Sequence, residues 1–149
     1  ERPVHSTAIR EALMEGNLRL VEDMLGRPYS IRGPVIRGEQ RGRDLGFPTA
    51  NIGVTPDRAL PSYGVYATWA YLGESRYASA TDIGMRPHFG GDFVSVETYI
   101  MDFDGDIYGQ TLKIELVERV SAEVKFETLE QLKAKIADDV AKAREILRA

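Results

Sequence analysis

Gly64-Val65-Tyr66-Ala67-Thr68-Trp69-Ala70-Tyr71-Leu72 is followed, after Gly73-Glu74-Ser75, by Arg76-Tyr77-Ala78-Ser79-Ala80-Thr81-Asp82-Ile83. Both runs are rich in β-branched and aromatic residues, and a short glycine-marked turn joins them, the pattern of a β-hairpin. Runs of the same kind occupy residues 93–103 and 110–120, with Asp104-Gly105-Asp106 between them as a second expected hairpin loop. Weaker strand patterns lie at 30–37 and 49–54. Strands that follow one another through short turns, with no helix between them, imply antiparallel pairing in a sandwich or a small closed barrel. The barrel is the favoured reading.

Both ends of the chain change period. Ser6 and Thr7 can cap a first helix with Ile9, Leu13 and Met14 as its apolar stripe and Gly16 as its stop. Asn17 can cap a second, in which Leu18, Val21 and Leu25 recur before Gly26 and Pro28. Residues 1–27 therefore read as a helical appendage, and 28–149 as the main domain. At the far end Thr128 and Gln131 have capping-box spacing, and Leu129, Leu132, Ile136, Val140, Ala143 and Leu147 form one stripe expected to pack on the barrel.

Composition narrows the chemistry. With 149 residues, 43% hydrophobic and 28% charged, the chain has room for one domain with a core plus a short appendage. It has no cysteine, and its only histidines are His5 and His88, so disulfides, thiolate sites and histidine clusters are excluded and any metal must be held by oxygen. The formal charge of −4 argues against a nucleic-acid binder, which gains affinity by neutralising phosphates. No apolar run approaches bilayer length and no secretion signal is visible, so a cytoplasmic location away from membranes is expected. The first residue is Glu1 rather than Met, which fits a piece of a longer polypeptide.

Three stretches can carry chemistry. In Gly38-Glu39-Gln40-Arg41-Gly42-Arg43-Asp44-Leu45-Gly46 the glycines permit positive φ and close approach of the main chain, so the loop can aim N–H groups and arginines at phosphates. A solvated hairpin loop has the same composition. Thr49 and Asn51, two apart on an extended segment, offer neutral oxygens sufficient for magnesium, which takes few protein ligands, or they satisfy a turn. Glu97 shares a strand face with Tyr99, Met101 and Phe103, where a desolvated carboxylate can act as a general base, although a strand Glu facing solvent fits as well.

Taken together and in order, these pieces resemble a known family. Gly33-Pro34-Val35, Gly38, and Gly42-Arg43-Asp44-Leu45-Gly46-Phe47-Pro48-Thr49-Ala50-Asn51-Ile52 are similar to the signature of riboflavin kinases. The likeness continues through Gly64-Val65-Tyr66-Ala67, Ile83-Gly84, Arg86-Pro87, Val96-Glu97-Thr98, Asp106-Ile107-Tyr108-Gly109 and Phe126. The start, Ser6-Thr7-Ala8-Ile9-Arg10 with Leu25-Gly26-Arg27-Pro28-Tyr29, resembles the tail of the adenylyltransferase domain that precedes the kinase in bacterial FAD synthetases.

The resemblance implies an all-β core, a six-stranded antiparallel Greek-key barrel with a C-terminal helix and a short N-terminal helical appendage. It implies transfer of the γ-phosphate of ATP to riboflavin with Mg2+, in a chain covalently joined to an adenylyltransferase domain. By the same resemblance Gly38, Gly42, Arg43, Gly46, Thr49 and Asn51 bind ATP phosphates, and Thr49 and Asn51 also hold the metal. Glu97 is the base on the terminal ribityl hydroxyl, and Arg86 and Glu123 contact the flavin. Three residues depart from the family pattern. Val120-Ser121-Ala122-Glu123 lacks the arginine of a common Leu-Arg-Pro-Glu run, His88 replaces a frequent Thr, and Asp82 stands where Asn is common. A binding barrel without turnover and an oligonucleotide-binding barrel are the competing functional classes. The acidic balance disfavours the second.

Overall fold

The computed structural model describes residues 6–37, 46–55, 58–86 and 91–148. Helices α1 (Ser6–Met14) and α2 (Leu18–Leu25) precede strands β1 (Ser30–Ile36), β2 (Ala50–Ile52), β3 (Gly64–Leu72), β4 (Ser75–Arg86), β5 (Phe93–Ile100) and β6 (Thr111–Ala122). Helix α3 (Leu129–Leu147) closes the described chain. The strands form a closed barrel in the order β1-β2-β5-β4-β3-β6, every pair antiparallel. The β3-β4-β5 meander with β6 returning beside β3 is a Greek key.

Local chemistry sets the helix ends. The Asn17 side chain accepts the Leu20 N–H at 3.1 Å, and Gly26, at φ 79, donates its N–H to the Glu22 carbonyl. Thr128 Oγ1 accepts the Gln131 N–H, while Gln131 Oε1 accepts from Glu127 rather than from Thr128 itself, one residue off a reciprocal capping box.

Closure corrects one expectation. Asp104-Gly105-Asp106 is not a hairpin loop, because β5 pairs with β2 and β4 whereas β6 pairs with β1 and β3. The segment between them crosses to β1 instead: the Val35 N–H donates to the Gln110 carbonyl at 2.8 Å, and the Gly109 N–H donates to the Val35 carbonyl at 2.9 Å. Strand β5 ends early for a local reason. Asp102 has φ 55, a left-handed conformation uncommon outside glycine, and it turns the chain. Phe103 thereby leaves the face of Glu97 and packs edge-on against Tyr77 at 5.1 Å. Other bounds shift modestly: β4 runs past 83 to Arg86 and β2 is shorter than 49–54.

Strand alternation sorts the core into two layers. Inward residues such as Ile31, Tyr66, Ile83, Leu112 and Ile114, all 0% exposed, fill the barrel. Leu13 and Val21 join this cluster, and the Ser62 N–H donates to the Leu13 carbonyl at 3.0 Å, so the N-terminal helices pack directly on the barrel. Outward Val65, Ala67, Ala80 and Met101 meet Ala143 and Leu147 of α3. Leu129, expected in the same stripe, is 66% exposed, since the helix meets buried surface only from Leu132 onward. Among the described residues no helix is long and apolar enough to cross a membrane.

Candidate active site

Strand β5 divides two cavities. Its side chains alternate, so Glu97 and Tyr99 line a cavity of about 420 Å³ on the outer face, whereas Thr98 and Ile100 line a second of about 510 Å³. Thr49, just before β2, lines both.

The first cavity lies under α3 and the connection that precedes it, with Phe47, Tyr99, Val124, Leu132 and Ile136 among its apolar lining. Phe47 meets Tyr99 edge-on at 5.4 Å. Gly46, at φ 90, supplies the left-handed turn that leads into Phe47. The second cavity is walled by β1, β2 and the crossing segment, including Asn51, Asp104, Asp106 and Tyr108. Arg37 stacks over the Tyr108 ring at 4.2 Å on its rim.

Sheet register brings the polar groups together. Glu97 is the ladder partner of Asn51 on one side and of Asp82 on the other. Thr49 Oγ1 donates to Glu97 Oε1 at 3.4 Å, and Ser95 Oγ donates to Oε2 at 3.0 Å. The Glu97 side chain is 16% exposed, so of the two faces open to it from sequence the sheltered one is occupied.

Arg86 organises the carboxylates. Its Nε donates to Glu97 Oε2 at 3.3 Å, Nη2 to Asp82 Oδ2 at 3.1 Å and Nη1 to Glu123 Oε1 at 3.5 Å. Burial opposes the guanidinium charge, but the three carboxylates outweigh it and hold its pKa above the ordinary arginine value. The pKa of Asp82 is raised as well, which for a carboxyl disfavours the charged form. Burial first, then the adjoining Glu123 carboxylate, push it up to about 7 against the pull of Arg86, with Glu97 adding to the rise. Although 41% of its side chain is exposed, its Oδ1 is buried and has no hydrogen-bond partner among the described residues.

Most of the residues singled out by sequence converge here. Thr49 and Glu97 meet across the wall, Asn51 lines the second cavity, and Arg86 and Glu123 line the first, engaged with each other. Gly38, Gly42, Arg43 and His88 lie outside the described residues. Ser121 has a defined partner set: its Oγ donates to Asp139 Oδ1 at 2.9 Å and accepts from Lys135 Nζ at 3.1 Å, while Lys135 also donates to Asp139 Oδ2 at 2.6 Å. Lys135 thus supplies a cation to the first cavity's lining from α3.

Sequence reasoning missed Lys135 and Asp139, and saw Asp82 only as a departure from a pattern. The available signal was Asp139 itself, a carboxylate falling on the apolar stripe of α3, with a lysine one turn before it.

Known proteins carry the same architecture. A bifunctional riboflavin kinase/FMN adenylyltransferase of Escherichia coli K12 is 39% identical over 143 residues, 95% of this chain and 45% of that protein. The chain spans less than half the length of that relative. Among solved structures, a macrolide-efflux protein from Streptococcus pneumoniae superposes with a TM-score of 0.86 at 33% identity, covering 95% of this chain and 46% of the other. Riboflavin kinase from Trypanosoma brucei superposes with a TM-score of 0.61 at 29% identity, covering 81% and 80%. The family model described as Flavokinase, riboflavin kinase, matches residues 25–147, a span holding both cavities and the carboxylate cluster that lines the first, and this chain belongs to that family.

Proposed function

We propose that this chain transfers the γ-phosphate of ATP to the 5'-hydroxyl of riboflavin, giving FMN. The carrying observation is the wall between the cavities. One strand presents Glu97 to an apolar cavity suited to a flavin ring, and the same wall offers Thr49 to a second cavity suited to a nucleotide. Two substrates bound on either side of such a wall meet at Glu97 and Thr49. Positioning and electrostatics then do most of the catalytic work.

In this reading riboflavin occupies the first cavity, with Arg86 and Glu123 at its polar end and its hydroxyl near Glu97, which accepts the proton as the oxygen attacks phosphorus. ATP occupies the second cavity, with Thr49 and Asn51 at its phosphates together with Gly46 and the preceding Gly38, Gly42 and Arg43. The neutral oxygens of Thr49 and Asn51 fit magnesium, which keeps most of its shell as water and phosphate. Bound there with ATP, the ion would neutralise charge on the transferring phosphoryl group. The formal charge of −4 fits small-molecule substrates rather than nucleic acid, and ATP as substrate fits a cytoplasmic setting. Residues 1–27 are read as the tail of an adenylyltransferase domain joined covalently to the kinase domain at 28–149.

The test is direct. Incubated with MgATP and riboflavin, the protein should release ADP and form FMN in equal amounts, resolved by chromatography. Saturable flavin binding without riboflavin-dependent ADP release would identify a binding barrel instead.

A further inference from the structure

Glu97 does not hold its place alone. Asp82 and Glu97 stand directly opposite each other in the β4-β5 ladder, an arrangement that drives like charges apart. Arg86 lies on the same face of β4 as Asp82, four residues on, and must reach back across position 84 to touch both carboxylates. Position 84 is glycine. A Cβ there would lie 2.7 Å from Arg86 Nη1 and 1.8 Å from Glu123 Oε1. The strand runs through Gly84 in unbroken register opposite Ser95, so the missing side chain, rather than any turn, is what this position contributes.

We propose that Arg86 is a positioning residue for the Glu97 carboxylate, held over the vacancy at Gly84 by Glu123. The inference rests on the reading of Glu97 as proton acceptor and concerns how that acceptor is aimed. Arg86 and Ser95 both donate to Oε2, which leaves Oε1, on the Thr49 side, as the oxygen for the substrate proton. Each Arg86 nitrogen is engaged within the protein: Nε and Nη2 hold Glu97 and Asp82, and Nη1 is shared between Glu123 and the Met85 carbonyl. Glu123 belongs to the connection between β6 and α3 that walls the first cavity, so its contact ties that wall to the reacting carboxylate.

The experiment is a double-mutant cycle on this chain, with FMN formation measured at saturating substrates and folding checked by circular dichroism. Arg86→Gln and Gly84→Ala should each lower kcat by about ten- to a hundredfold, the scale of a ~1 Å misplacement, with the KM for MgATP unchanged. In a Glu97→Gln background the same changes should cost no more than about twofold, the scatter of independent sites. An equal loss in both backgrounds, or parent-level kcat in both variants, overturns the proposal while leaving the Glu97 reading intact. Near-parent activity of Glu97→Gln alone would instead remove that reading. Should Arg86→Gln fail to fold, Gly84→Ala carries the test, because its Cβ meets the ends of two flexible side chains rather than backbone.

Discussion

The two cavities that meet at Thr49 are built by different means. The first is lined on one side by charged groups already committed to one another, Arg86 with Asp82, Glu97 and Glu123, and Lys135 with Asp139 and Ser121. Much of its remaining surface is apolar, with Leu132, Ile136 and Val140 of α3 facing Phe47 and Tyr99. The second draws on β1, β2 and the crossing segment, with Asn51, Asp104 and Asp106 among its polar groups. A preorganised charge network costs no reorganisation when charge develops nearby, whereas a cavity walled by strand ends and a crossing segment suits a substrate held by many weak contacts. On the proposed reading, the difference separates aiming the acceptor, on the first side, from holding phosphates, on the second.

The largest effect should come from the group on the shared wall. Glu97→Gln preserves shape but cannot accept a proton, so FMN formation should fall at least about a hundredfold while the fold and MgATP affinity persist. Activity within a few-fold of the parent, in a rapid-quench assay, would make Glu97 structural and leave the wall without its chemical role.

A smaller effect separates the two sides. Asn51→Ala should raise the KM for MgATP by about tenfold, the scale of one hydrogen bond to a charged group, and leave riboflavin binding unchanged. Thr49→Ala should affect both substrates, because Thr49 lines both cavities. Titrations of each substrate against the two variants check this, and equal effects of the two substitutions on both substrates would erase the distinction.

The smallest effect concerns stability. Asp82 is raised from an ordinary 3.8 to about 7 by burial and by Glu123, with Arg86 opposing and Glu97 adding, while Lys125, Lys135 and Asp139 line the same cavity. Between those values the unfolded chain has released a proton that the folded protein keeps, so this group's contribution falls as pH rises and is least favourable above about 7. Asp82→Asn, which cannot ionise, should raise the melting temperature at about pH 8 and change it little at about pH 4. Identical shifts at both values would show that the carboxyl titrates normally.

Legibility followed the range of the interactions. Strand β3 was readable to the residue, because its composition and Gly73 are local signals. The 104–106 turn had the chemistry of a hairpin loop, yet which strands flank it is a matter of barrel closure, and no local signal carries that. Glu97 was readable as a carboxylate on an apolar strand, whereas its surroundings were not. Arg86 and Glu123 could be associated with the site only through resemblance, since the gap at Gly84 that lets them meet joins residues 86 and 123 across the chain.

The amino-acid sequence by itself determined the periods, the turns, the caps of α2 and α3, and the alternation that gives β5 two chemically different faces, because each depends on neighbours a few residues apart. Strand order, the two cavities on either side of one wall, and the grouping of three carboxylates around Arg86 were decided only by tertiary structure. Closing the barrel sets Asn51, Glu97 and Asp82 side by side from three strands, and only then do the carboxylates of Glu97 and Asp82 act on one another.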